Sequence, residues 1–419
     1  MKRILFVAPH SFPIKSSESI CNSKVAYILA KNGYCVDVFS CSDNSTYPSD
    51  IEYNDKLSNS NNLHIYTIEP KYIIRRDDNF FRILISLVYN LWIWVTTGYF
   101  YNGISIPYLL YKKIRKHIKQ NNINYDAIIT RGFHTDVVGI LLTRRYGIKW
   151  IANWNDPYPN KRFPAPYGEG YDAKLPFFEE RVMRDIQNYA TLHTFPNDRL
   201  RNYMLKCFNR VALENTLVIP HMALSTLYND TNSLKNDRRL KIVHCGYLKN
   251  PRNPELFLRA LANVKSYDKY KDVDFVCHIV GSFEDNVGQL VESLGLNKNI
   301  ELHSSLSYKE SMDFISECDI ALIIEAQCEE GIYLPTKVVD SIQCHLPLLC
   351  ISPKDGVLHD MIRKYPIGYF ADNTSISEIS KAVDICFSDY LSNSLPKVDQ
   401  SVVPEIFEDS ILKQYQSII

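Results

Sequence analysis

Short apolar runs alternate with longer helical stretches along this chain, and that alternation limits the fold more than any other feature. In the first half, Ile4–Ala8, Val36–Ser40, Leu63–Ile68, Ala127–Thr130 and Trp150–Ala152 read as strands. Between them, Ser19–Asn32 carries Val25, Ile28 and Leu29 on one helical face and stops at Gly33, and Asp136–Tyr146 reads as a second helix. The rhythm restarts after residue 239: strands at Leu240–Cys245, Phe275–Val280, Ile300–His303, Ile320–Ile324 and Leu348–Ser352, helices at Pro254–Val264, Glu284–Leu294, Tyr308–Glu317 and Pro335–Gln343. Such a β-α-β order predicts an α/β protein of two Rossmann-like parallel-sheet domains facing each other across a cleft. The expected boundaries are 1–225 and 239–404. They are joined through the polar stretch Asn229–Arg239, with a closing helix at 405–419 that packs back on the first domain.

The 419 residues suit two domains. With 46% hydrophobic and 22% charged residues, the chain has a globular composition, which excludes a disordered or fibrous protein. The 47 basic residues balance 47 acidic ones, so a general nucleic-acid binder is not expected. The 11 cysteines form no CxxC pair and read as reduced thiols in a cytoplasmic protein. Ile4–Ala8 is too short for the apolar core of a signal peptide and reads as a buried first strand. Residues 1–120 hold 15 Lys/Arg against 9 Asp/Glu, so the first half is basic and the remainder acidic.

One segment breaks the pattern. No charged residue occurs from Ile83 to Tyr111, a length that could span a bilayer. A span there would put two parts of one sheet on opposite sides of the membrane. Ile83, Leu84, Leu87, Val88, Leu91, Trp92 and Val95 share a helical face, and Lys112, Lys113, Arg115, Lys116 and Lys119 follow at once. Aromatic residues beside a basic cluster suit the surface of an anionic leaflet, giving residues 83–119 as a peripheral membrane contact on the inner face of the plasma membrane. The plainer alternative is a buried helix pair with a solvated basic face.

Ligands of open α/β sheets bind beyond the C-terminal strand ends. In the second half those loops carry Gly246 and Gly281, which let backbone approach a ligand, and Arg252. Lys337 stands in the first turn of the helix after Pro335, where backbone N–H groups and a cation favour phosphate. Asp340 lies one turn on, and is compatible with a bound anion if it accepts hydrogen bonds from sugar hydroxyls. The first strand is followed by Pro9-His10-Ser11-Phe12-Pro13 rather than GxGxxG, so a nicotinamide cofactor is not expected. Asp272-Val273-Asp274 opens a strand at its N-terminal edge, away from the ligand side, so no metal is expected either.

The run Leu334-Pro335-Thr336-Lys337-Val338-Val339-Asp340 through Cys344-His345-Leu346-Pro347-Leu348-Leu349 resembles the donor-site motif of GT-B glycosyltransferases of the family-four type. Ile242–Arg252 resembles that family's first C-terminal-domain strand and basic diphosphate loop, and Pro220-His221-Met222 its turn before the linker. The resemblance implies a retaining, metal-independent transfer from a nucleotide-sugar co-substrate, with no cofactor. It places Arg252 and Lys337 on the diphosphate, Asp340 on the ribose, and Glu330 on the transferred sugar as first acid of an E-x7-E pair. Glu330 and Asp340 are wider apart than that pair, which leaves Glu325 and Glu329 as alternatives. His345 stands where the family has glycine, and Ser16-Ser17 where it has a glycine pair.

In the first half, Trp154-Asn155-Asp156-Pro157-Tyr158 follows a strand and resembles the family's cleft-facing motif, giving Asp156 a sugar- or acceptor-binding role, or that of a base. His134, after another strand, is the second catalytic candidate. Each could instead be a capping residue. The expected acceptor is a saccharide, lipid-linked if the membrane reading holds, in bacterial surface polysaccharide synthesis (capsule, O-antigen or exopolysaccharide). Two other functions suit the same fold: a nucleotide-sugar 2-epimerase and a catalytically degenerate scaffold.

Overall fold

Seven parallel strands form one sheet: β1 (Arg3–Val7), β2 (Cys35–Cys41), β3 (Leu63–Ile68), β4 (Ala127–Arg131), β5 (Lys149–Asn153), β6 (Leu192–Phe195) and β7 (Thr216–Val218), in the order β3-β2-β1-β4-β5-β6-β7. Their connections run through α1 (Ser17–Lys31), α2 (Ile51–Ser58), α3 (Phe80–Thr97), α4 (Ser105–Asn121), α5 (Asp136–Tyr146), α6 (Phe177–Tyr189) and α7 (Asp198–Cys207). The sheet belongs to the first of two units, which holds Met1–Phe163, Gly168–Pro220 and Ile411–Ile419. The computed structural model describes residues 1–42, 50–73, 79–101, 103–132, 135–227 and 239–419.

The second unit, Pro164–Tyr167 with His221–Ser410, carries six parallel strands. They are β8 (Leu240–Leu248), β9 (Phe275–Phe283), β10 (Ile300–His303), β11 (Ile320–Ile324), β12 (Leu348–Ser352) and β13 (Gly368–Asp372), ordered β10-β9-β8-β11-β12-β13. Helices α8 (Glu255–Lys265), α9 (Val287–Ser293), α10 (Tyr308–Ser316), α11 (Thr336–Gln343), α12 (Val357–Lys364) and α13 (Ile376–Leu391) cover both faces. This explains why β11 reads as an unbroken apolar run. Ile320, Leu322 and Ile324 enter the core on one face of the sheet, and Ala321 and Ile323 that on the other.

The division falls at Pro220–His221, ahead of residue 225, and Pro164–Tyr167 counts with the second unit although it lies within the first half of the sequence. Most of the polar stretch read as a linker, residues 228–238, lies outside the described residues. The last helix, α14 (Glu408–Ile418), has its final residues in the first unit, where Arg131 donates to the Tyr415 hydroxyl at 2.7 Å and Lys2 to the Ile419 carbonyl at 3.0 Å. Three strands escaped the sequence reading: β6 and β7 are only four and three residues long, and β7 and β13 are edge strands of their sheets, where apolar runs are weakest.

Helix α3 is turned outward. Ser86, Asn90 and Ile93 are its buried residues, while Phe80, Phe81, Leu84, Leu87, Val88, Leu91, Trp92 and Val95 are exposed. The apolar face that would fill the core of a soluble bundle therefore faces away from the protein. By length and composition the helix could cross a membrane. It connects β3 to β4 through α4, however, and both strands belong to one sheet, so a single crossing would tear that sheet apart.

Candidate active site

The second unit gathers two cations and a carboxylate beyond the C-terminal ends of β8 and β11. Lys337 sits in the first turn of α11, begun by Pro335 as N-cap. Its Nζ lies 3.4 Å from His244 Nε2 on β8. His244 is fully buried and its Nδ1 faces the Leu322 carbonyl at 3.0 Å; that pairing puts the ring proton on Nδ1 and leaves Nε2 to accept from the lysine. Burial, with Lys337 beside it, holds His244 well below the ordinary histidine range. Burial likewise brings Lys337 down to about 8, Glu325 working to raise it and Arg252 to lower it.

Arg252, on the loop after β8, forms an ion pair with Glu325, Nη2 to Oε2 at 3.2 Å, and its guanidinium lies 5.9 Å from the Tyr167 ring centroid. Burial opposes its charge, but Glu325 more than restores it and the net shift is upward. Tyr167 stacks edge-on against Tyr333 at 5.5 Å. Glu325 lines two cavities. One includes Tyr167, Tyr333, Gly331 and Gly356 in its wall; the other, larger one includes Asn250, Pro251, Gln327 and Asn373.

Gly246 and Gly281 are register partners on β8 and β9. A Cβ at Gly281 would stand 2.3 Å from the Gly246 carbonyl oxygen, and its φ of 127° is one that side-chain-bearing residues avoid. A Cβ at Gly246 would stand 3.7 Å from Lys337 Nζ, so the missing side chain leaves space beside the ammonium. Asp340 accepts the Tyr308 hydroxyl at 2.6 Å. Cys245, between these groups, is raised mainly by burial, with Lys337 lowering and Asp340 raising it. Arg252, Lys337, Gly246, Gly281 and Asp340 are thus neighbours in one region of one unit. Glu330 is partly exposed in the turn before Gly331 and its carbonyl accepts the Cys328 thiol at 3.3 Å. Glu329 is exposed. His345 adopts the left-handed φ of 62° expected of a glycine, and its ring faces the Val398 carbonyl at 2.9 Å, a contact that offsets the strain.

The first unit carries a separate pocket at the ends of β4 and β5, lined by Glu18, Thr135, Asp136, Trp154, Asp156 and Tyr158 among others. Asp136 accepts the Tyr101 hydroxyl at 3.0 Å, the Val137 N–H at 2.7 Å and the Tyr158 hydroxyl. Burial first, then Asp136, pushes both tyrosines well above their usual range, so they are fixed as donors. Glu18 is raised by burial; His10 and Arg131 oppose this and Asp156 adds to it. Gly132 has φ 82°, and a Cβ there would collide with Glu18 Oε1 at 2.1 Å, so this glycine makes room for the carboxyl. Asp156 lines the cavity; His134 lies outside the described residues.

Sequence reasoning missed Glu18, Asp136, Tyr158, Tyr167, Tyr333 and His244. Glu18 and Asp136 look in sequence like first-turn helix acids, and Tyr167 comes from a segment that only the folded chain assigns to the second unit.

Residues 229–397, less than half of the chain, match the family described as Glycosyl transferases group 1, and this stretch is a domain of that kind. Among solved structures, HepE from Anabaena in complex with UDP and glucose is 13% identical with a TM-score of 0.64, covering 100% of this chain and 99% of that one. A glycosyltransferase from Rickettsia africae is 15% identical with a TM-score of 0.65, covering 100% and 97%. A sucrose-phosphate synthase from Thermosynechococcus elongatus is 13% identical with a TM-score of 0.65, covering 100% and 98%. At these identities the likeness is one of fold, and the fold is GT-B. Among curated proteins, no sequence matches.

Proposed function

We propose that this group 1 glycosyltransferase moves a sugar from a nucleoside diphosphate donor to the hydroxyl of a lipid-linked saccharide at an anionic membrane surface, with retention and without a metal. The observation that carries the donor assignment is the meeting of Lys337 and Arg252 beside the Gly246–Gly281 backbone. As the bond between the anomeric carbon and the diphosphate oxygen breaks, negative charge grows on that oxygen. Two positioned cations and the N-terminal N–H groups of α11 stabilise it in place of an ion. The acceptor hydroxyl attacks the same sugar face and yields its proton to the departing phosphate. Asp340 takes the ribose hydroxyls, and Glu325, which is buried and tied to Arg252, is the acid we assign to the transferred sugar. The UDP found in HepE makes uridine diphosphate sugars the first donors to try.

In the first unit, Asp156 and Glu18 form the polar floor on which an acceptor saccharide would lie, with Tyr158 and Trp154 as its aromatic wall. The membrane reading rests on α3: its apolar face is outward, and exposed Lys112 and Lys116 follow on α4, Lys112 over the Trp92 ring at 5.8 Å. A bilayer interface satisfies both at once. Bacterial surface polysaccharide assembly is the setting that would use such an acceptor, on the inner face of the plasma membrane.

A transfer assay tests the reading. Nucleotide sugars are incubated with the full chain and a polyprenyl-linked saccharide in anionic vesicles. Nucleoside diphosphate should appear only when the acceptor is present. Epimerised sugar formed without acceptor would instead mark an epimerase, and no turnover or binding with any donor would mark a scaffold.

A further inference from the structure

Apart from the residues assigned to the donor, His278 on β9 and Glu301 and His303 on β10 bring three ligand atoms close together. Parallel pairing sets Glu301 opposite His278, and His303 follows two residues later, so the pleat puts all three side chains on the same face. His278 Nδ1 lies 3.1 Å from His303 Nε2 and 3.3 Å from Glu301 Oε2, and His303 Nε2 lies 3.7 Å from that same oxygen. Ligands held tetrahedrally at about 2.0–2.1 Å from a zinc ion stand about 3.3–3.4 Å apart. The three atoms therefore already outline one face of such a tetrahedron, and shifts of a few tenths of an ångström would complete it.

The surroundings are those of a held ligand set. The other oxygen of Glu301 faces Arg239 Nη1 at 3.8 Å, and Arg239 is itself fixed by Asp274 at 3.2 Å and the Lys298 carbonyl at 3.2 Å. The carboxylate is thus oriented from behind while Oε2 stays toward the imidazoles. Phe314 of α10 lies against both rings, at 5.1 and 5.3 Å, and shields one side from water. A second group of similar composition, Cys35, Asp37 and His64 in the first unit, lacks this character. Asp37 is held more tightly, by Arg3 at 2.8 Å and the Tyr125 hydroxyl at 2.6 Å against 3.8 Å between Glu301 and Arg239, and its group offers one imidazole rather than two.

We propose that His278, Glu301 and His303 bind a zinc-class divalent cation, with the remaining position open to water. Two imidazoles and one carboxylate select borderline, nitrogen-seeking ions over magnesium or calcium. The ion would pin β10, the edge strand of its sheet, to β9, and its binding is independent of donor chemistry. The test uses the full chain stripped with a chelator, then titrated with Zn²⁺ alone by calorimetry and melted with and without it. Wild type should bind one ion at this site and melt higher. Glu301→Gln and His303→Ala should each lose about tenfold affinity or more, and with it the rise in melting temperature. Mg²⁺ should do neither, and Co²⁺ should give the visible bands of a tetrahedral complex. Because Glu301 and His303 are 47% and 33% exposed, the metal-free variants should melt with the metal-free wild type. Zinc binding that is absent in wild type, or unchanged in both variants, overturns the proposal. Should a variant fail to fold, the cobalt spectrum of the wild type decides: octahedral bands or none would overturn it.

Discussion

Lys337 Nζ lies 3.4 Å from His244 Nε2, and the far nitrogen of that imidazole faces the Leu322 carbonyl. The histidine is therefore a neutral acceptor that aims the ammonium without cancelling its charge. The lysine keeps that charge but, being buried, is easier to deprotonate.

The first prediction concerns pH. Lys337 is lowered from 10.5 to about 8, mainly by burial. Nucleoside diphosphate affinity, measured calorimetrically, should fall as pH rises through 8 and 9. Between about 8 and 10.5 the unfolded chain holds a proton at this residue that the folded chain has released, so this group's contribution to the stability of the empty protein should grow with pH. Binding and stability should move in opposite directions, and Lys337→Met should remove both trends.

Glu325→Gln leaves the Arg252 guanidinium without its ion-pair partner. A fully buried pair broken in this way costs roughly 3–5 kcal/mol, and the partial exposure of Arg252 reduces this to about 2 kcal/mol. Denaturant melts should show that loss. Because Glu325 also favours the charged form of Lys337, the pH midpoint for diphosphate binding should move down.

In the first unit, Asp156 raises the Glu18 carboxyl beyond what burial does alone. Asp156→Asn should lower it, so any acid limb of the transfer rate that reports Glu18 ionisation should shift to lower pH. Nucleoside diphosphate affinity should be unchanged by this substitution, which separates an acceptor-side effect from a donor-side one.

The outward face of α3 gives a fourth. Leu84→Gln, Leu91→Gln and Val95→Gln together should abolish flotation with anionic vesicles while changing stability by no more than about 0.5 kcal/mol each, since all three are exposed. Wild-type protein that stays out of the vesicle fraction at low salt contradicts the membrane reading.

Much of this was legible in the residues. The β-α-β rhythm is visible because central strands such as β11, Ile320–Ile324, are buried on both faces and apolar throughout. Lys337 and Gly246 could be found because strand-end loops and helix starts bind anions in any parallel sheet. Other features depend on tertiary placement. The apolar periodicity of α3 predicts a face but not which way it points, and the structure buries Ser86 and Asn90 instead. Tyr167 reaches Tyr333 and Arg252 across a long sequence separation that no local pattern encodes. The Arg252–Glu325 ion pair and the space that Gly132 leaves for the Glu18 carboxyl are tertiary contacts with no local sequence signature.

Calorimetric titration of uridine diphosphate into wild type, Arg252→Ala and Lys337→Ala tests the donor assignment most directly. Saturable binding by wild type that weakens at least about tenfold in each variant, for the loss of one charge-assisted contact, is the expected result. Equal affinity in all three proteins would contradict it.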